Sequence, residues 1–358
     1  MSKKVLNFWC KIVKWFLDRF IFSLFTAMKP EILMYSTDEN LTFGDIKNLK
    51  STDSCISISD LQKTQDIFVQ NHIQASLLWE ESYHTKFLNI PNKPYIMHYI
   101  WDISLLDHKI FGIVWPRKPS DYSHQLLQKL FDIAKNYDLV TISGMADGVD
   151  LMCHSFSVKY NIPTIAVLGG GLYHYLRSPS RHIIESIVEH GGLVLSEYKI
   201  NFAPTKYSFP QRNRIVAWLC DMLFLPEAGE WSGSLITANF AYNQNKPVYV
   251  APWNIFSPTS IWVNQLVNDK KATYLTDFQW LFSQNFFKKC DGENTPKYTD
   301  LPPEESEILS LLSTKWQQPI SQIVEQTSID IDTLMTHITL LEMNDFVYQN
   351  SPGVYSLR

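Results

Sequence analysis

The feature that most constrains this chain starts at Lys109. From there six short apolar runs, Ile110–Trp115, Leu139–Ile142, Thr164–Leu168, Leu193–Leu195, Met222–Leu225 and Val248–Ala251, alternate with helical patterns. The helical patterns cover Ser123–Tyr137, Val149–Tyr160, Ser180–His190, Gln211–Leu219 and Ser234–Gln244. Apolar runs of strand length separated by helices belong in a parallel sheet covered on both faces, joined by right-handed crossovers. The alternation predicts a doubly wound α/β domain. In such a domain ligands sit outside the carboxyl ends of the strands.

The segment after each strand is therefore informative. Pro116-Arg117-Lys118-Pro119-Ser120 comes after the first, and Ser143-Gly144-Met145-Ala146-Asp147-Gly148-Val149-Asp150 after the second. Gly169-Gly170-Gly171 comes after the third, and Glu197 with a long loop to Phe209 after the fourth. Glu227 to Ser234, which includes Ser232 and Gly233, comes after the fifth. Glycines let a backbone turn tightly and approach a ligand, and a helix start offers unpaired N–H groups to an anion. The central loop, Ser143–Asp150, fits that use, and it fits equally a turn that needs glycine for packing. It is neither a Walker A loop nor a G-x-G-x-x-G fingerprint. Recurrence on one edge, with Arg117, Lys118 and Lys206 nearby, favours an extended anion site.

Beyond this region the chain is less regular. Residues 1–75 read as a helical N-terminal domain, with Thr42 and Ser59 as candidate caps. The aromatic stretch Val5–Met28 is interrupted by Lys11, Lys14, Asp18 and Arg19, so it is too broken to span a bilayer. An amphipathic surface helix and a packed helix of a small domain both fit it; the packed helix is preferred, and no membrane partner is expected. Residues 76–284 hold the α/β domain, with 76–105 read as a connection because Pro91 and Pro94 disfavour helix. Residues 285–303 are a polar linker.

From 304 to 358 the helical patterns Glu304–Leu312, Ile320–Thr327 and Ile331–Asp345 precede the hairpin pattern Phe346–Tyr348 and Val354–Leu357. This is the winged-helix order. Its eight Asp/Glu against two Lys/Arg repel phosphates, so a protein contact is expected there rather than duplex DNA. The net charge of −5 likewise excludes a basic nucleic-acid coat. Five scattered cysteines with no C-x-x-C pair indicate neither a disulfide framework nor a zinc knuckle, and a reducing cytoplasm is the expected setting.

The loops together resemble the DNA-processing protein A (DprA, or Smf) family. Ser143–Asp150 meets its S-G-x-A-x-G-I/V-D pattern, with His154 in the family's position. Leu195-Ser196-Glu197, Phe209-Pro210-Gln211-Arg212-Asn213-Arg214-Ile215, Ser232-Gly233-Ser234-Leu235-Ile236-Thr237 and Asn264-Gln265-Leu266-Val267 succeed it in family order. Val114-Trp115-Pro116-Arg117 is bulkier than the family's V-G-x-R. The resemblance covers roughly residues 83–282 and implies a Rossmann-like fold. It also implies a non-catalytic homodimer that binds single-stranded DNA, protects incoming strands and helps load the RecA recombinase during natural transformation, with no cofactor or metal.

The strand-contacting residues it implies are Arg117, Lys206 and Phe209. The other candidates are Ser143, Gly144, Gly148, Gly169, Gly170, Arg212, Asn213, Arg214, Ser232, Gly233 and Ser234. Arg117 and Lys206 supply charge for phosphates, and Phe209 a ring for a base. Core packing is the competing reading of Phe209, and a solvated loop that of Lys206. Arg212 and Arg214 either meet phosphate or fix carboxylates such as Glu197 and Glu227. His154 reads as structural. Asp147, Asp150, Glu197, Glu227 and Glu230 suit either metal-dependent phosphate chemistry or the fixing of loops. Two rival functions stand beside the main one: a nucleotide-binding sensor or hydrolase of the same fold, and a protein-interaction scaffold.

Overall fold

The computed structural model describes residues 32, 35–36, 58–114, 120–146, 149–229, 233–257, 260–284, 286–290, 302–314, 318–327, 329–343 and 346–357. The chain divides into two compact units, residues 1–291 and 292–358.

From residue 58 the described part of the first unit runs through α1 (Ile58–Gln70), β1 (Ile73–Leu77), α2 (Thr85–Leu88), β2 (Ile96–Ile100), β3 (Ile110–Ile113) and α3 (Asp121–Ala134). It continues through β4 (Tyr137–Asp138), β5 (Val140–Ser143), α4 (Val149–Lys159), β6 (Thr164–Val167), α5 (Leu172–Leu176), α6 (Arg181–Glu189) and β7 (Leu193–Ser196). Then come α7 (Ser208–Leu219), β8 (Met222–Leu225), α8 (Gly233–Asn243), β9 (Val248–Val250), α9 (Ile261–Asn268), β10 (Thr273–Tyr274), α10 (Phe278–Ser283) and β11 (Lys288–Lys289).

Among the described residues nine strands form one sheet in the order β1-β2-β7-β6-β5-β3-β8-β9-β10. All six expected strands are present and mutually parallel, and β10 extends them in parallel. The pair β1 and β2 is antiparallel and closes the β7 edge. These two strands lie where helix and connection were expected. An antiparallel neighbour needs no crossover helix, so the strand–helix alternation that reveals the parallel strands is silent about them.

Side chains alternate between the faces. Ile110, Ile142, Ile165 and Leu193 pack under α2, α7, α8 and α9. Phe111 packs with α3, α4 and α10, and Ala166 and Val194 with α1, α5 and α6, on the opposite face. The helix after β3 thus covers one face and the helix after its neighbour β8 covers the other. That divergence opens a crevice at the carboxyl ends of β3 and β8, the topological switch point of a Rossmann-like sheet.

The second unit holds α11 (Pro303–Thr314), β12 (Gln318–Pro319), α12 (Ile320–Gln326), α13 (Ile331–Met343), β13 (Val347–Ser351) and β14 (Val354–Leu357). Its three strands are ordered β12-β14-β13, and Ile308, Leu312, Ile323, Leu334, Ile338 and Val347 form a separate core. No helix among the described residues is long and apolar enough to cross a membrane. The expected cap Thr42 lies outside the described residues, and α1 starts one residue ahead of Ser59.

Candidate nucleic-acid interface

The carboxyl edge is held together from below by a polar cluster. Thr141 of β5 and Thr164 of β6 are register partners, and the Thr141 hydroxyl donates to Thr164 Oγ1 at 2.8 Å. His154 of α4 sits above them, fully buried. Its Nε2 lies 2.6 Å from the Gly144 carbonyl and its Nδ1 2.9 Å from Thr164 Oγ1. A carbonyl can only accept, so Nε2 carries a proton. Desolvation pushes its pKa below the usual histidine range, against the pull of the Gly144 carbonyl. Both nitrogens serve the fold, in keeping with a structural role.

The central loop packs onto an ion pair. Asp150, at the start of α4, accepts from Ala146 N at 3.1 Å, and its Oδ1 lies 3.2 Å from the Ser143 hydroxyl oxygen. Arg212 comes from α7 on the opposite face and reaches over the sheet edge. Its Nη2 lies 3.5 Å from Asp150 Oδ2, and its Nη1 donates to the Val167 carbonyl. Arg212 is 2% exposed. A Cβ on Gly144 would lie 2.2 Å from Asp150 Oδ2 and 2.4 Å from Arg212 Cζ. Packing therefore demands glycine at 144, and Ser143 is likewise buried, donating to the Ile113 carbonyl at 2.7 Å. Gly148 lies outside the described residues.

Arg214 pairs with Glu197, and both side chains are mostly buried. Desolvation raises the Glu197 pKa, while Arg214 opposes the rise. Both guanidiniums are thus spent inside the domain, the carboxylate-fixing alternative, with Asp150 rather than Glu227 as the partner of Arg212. Glu227, fully buried, accepts from Ser120 N at 2.8 Å and so ties the loops after β3 and β8 across the switch point. Asp150, Glu197 and Glu227 all hold loops in this way. Among the described residues no three His, Cys, Asp or Glu side chains converge to hold a metal. Asp147 and Glu230 lie outside them.

Gly169 and Gly170 are buried under the loop after β7. Gly171 N donates to the Phe202 carbonyl at 2.8 Å, and Ser196 Oγ to the Gly170 carbonyl at 2.7 Å. A Cβ on Gly170 would lie 2.9 Å from the Phe202 carbonyl oxygen. A Cβ on Gly169 would lie 2.8 Å from Phe209 Cδ1, so the Phe209 ring rests on the end of β6. Phe209 is partly buried, between the two readings left open for it. Lys206 is exposed at the same corner, its Nζ 5.0 Å from the centroid of the Tyr207 ring.

Asn213 links α7 to α8. It donates to the Gly233 carbonyl at 3.1 Å and accepts from Arg212 Nε at 3.0 Å. Gly233 is exposed and Ser234 buried. Arg117 and Ser232 lie outside the described residues. The corner also carries aromatics that the motifs did not single out. Tyr207 is 69% exposed, and Tyr198 stacks on Phe202 with centroids 4.8 Å apart. Their only signal in sequence is the density of rings between Tyr198 and Phe209.

The match to known proteins covers this same region. The family model described as DNA recombination-mediator protein A matches residues 74–285. The chain belongs to that family. Among DNA recombination-mediator protein A relatives, Protein Smf of Synechocystis is 28% identical over 316 residues, 78% of this chain and 76% of its own. The structure of DprA from Streptococcus pneumoniae superposes with a TM-score of 0.55 at 26% identity, covering 71% of this chain and 91% of that one. DprA from Helicobacter pylori, a structure concerned with that protein's single-stranded DNA binding mode, gives a TM-score of 0.52 at 29% identity. It covers 60% of this chain and 96% of that one.

Proposed function

We propose that this protein binds single-stranded DNA without catalysis. Its role is to protect incoming strands and help load a RecA recombinase during natural transformation, as a cytoplasmic homodimer. The observation that carries the reading is the corner where exposed Lys206 stands beside a partly exposed Phe209 at the carboxyl edge. A cation for phosphate next to a ring for a base is the minimum of a sequence-tolerant single-strand site. Family membership and the strand-binding relative support it. In the sequence Arg117, which comes soon after Ile113, is a second candidate cation. In the second unit, the order of three helices and a hairpin supports a winged helix, whose acidic surface suits a protein partner.

Titration of single-stranded and duplex oligonucleotides tests the reading. Preference for single strands with a steep salt dependence is expected. Equal binding of both forms, or turnover of a nucleotide, overturns it in favour of a nucleotide-handling protein.

A further inference from the structure

Resting on that reading, the geometry points to Phe256 as a base-stacking residue that extends the single-strand track past the switch point to the β9 side of the sheet. Phe256 is 87% exposed and its neighbour Ile255 71%, with Ile261 at 56% just beyond. Large apolar side chains so fully in water mark contact surfaces. A turn holds them there. Phe256 N donates to Asn254 Oδ1 at 2.9 Å and Ser257 N to the Asn254 carbonyl at 3.0 Å. The ring is thus presented by an ordered turn.

The turn comes after β9 at the same carboxyl edge as Lys206 and Phe209. It is braced against the switch point, because the Tyr122 hydroxyl donates to the Pro252 carbonyl at 3.2 Å. The Tyr122 and Trp253 rings also meet, with centroids 4.5 Å apart. Phe209 rests on the end of β6, and β5, β3 and β8 separate β6 from β9. Four strand spacings place β9 about 19 Å from β6. That is the span of about six stacked nucleotides, and of fewer extended ones. A single strand held at Phe209 that runs along this edge over the crevice arrives at Phe256. Lys206 with Phe209 at one end of the edge and an exposed ring at the other supply the charge and the stacking surfaces that sequence-tolerant single-strand sites combine. The occupant we assign to the turn is therefore the same strand, rather than a protein.

The test is a length series of oligothymidylates, from about four to about sixteen nucleotides, titrated against the full chain and its Phe256→Ala, Phe256→Trp and Lys206→Ala variants. The wild type is expected to gain affinity with length. Phe256→Ala loses about tenfold on the longer oligomers and little on the shortest, Phe256→Trp restores binding, and Lys206→Ala weakens every length. If the wild type binds but Phe256→Ala tracks its curve at every length, the proposal fails and the underlying reading stands. If Phe256→Ala instead changes the mass in solution with the length series unaltered, the turn is a protein contact and the proposal also fails. Absence of wild-type binding at all lengths removes both.

Discussion

Lys206 and Arg212 carry the same charge in one short stretch, yet the fold uses them oppositely. Lys206 points into water, whereas Arg212 is enclosed against Asp150 and the Val167 carbonyl. Lys206→Ala is expected to leave the urea midpoint unchanged. It should weaken single-strand binding across sequences and lower the slope of log affinity against log salt by about 0.7, measured by fluorescence titration. Arg212→Ala is expected to cost about 3–5 kcal/mol of folding stability, because it strands a buried carboxylate; an unchanged urea midpoint refutes the bridging role given to this residue. The motif Phe209–Ile215 was legible in the sequence, but the fate of its arginines was not. Asp150 and Val167 lie far away in the chain, and only the closed sheet edge brings them to Arg212. Histidine burial adds a pH dependence. Desolvation holds His98, on β2, at about 4 against an ordinary value of 6.5. The unfolded chain takes up its proton below 6.5 and the folded chain only near 4, so stability is full above pH 6.5 and declines as pH falls between them. The decline amounts to about 3 kcal/mol. Urea unfolding at pH 7 and near pH 4.5 should show it, and His98→Gln should reduce it, with buried His154 still contributing.

At the scale of elements, the segment just after β6 meets Phe209 of α7 at a residue with no side chain. Gly169→Ala sets a methyl 2.8 Å from the Phe209 ring, so the ring must move. The expected cost is about 1–3 kcal/mol, largely relieved when Phe209 is already alanine; strict additivity in that double-mutant cycle would refute the contact. The parallel strands were legible because each is a continuous apolar run between helices. Strands β1 and β2 were not, since antiparallel pairing leaves no such trace, and Pro91 and Pro94 before Ile96 read as a break. The glycine loops were legible as special positions but ambiguous in purpose. Packing demands glycine at 144, 169 and 170 before any ligand is considered.

At the scale of the whole molecule, the acidic second unit and the first unit have separate cores. Deleting residues 304–358 should therefore leave most single-strand affinity intact; a collapse of binding would mean that the acidic unit takes part in it. The position of β3 has a further consequence, for synthesis. One side of β3 pairs with β5, which comes soon after it, but the other side pairs with β8, more than a hundred residues later. Asp221 closes that seam, its carboxylate accepting from Ile110 N and its own N–H donating to the Ile110 carbonyl, each at 2.8 Å. Until the ribosome has delivered Met222–Leu225, a strand that is interior in the finished sheet is an open edge in a partly built one. Open edges recruit other chains. The interval between β3 and β8 is when a nascent copy of this protein is most exposed to its neighbours.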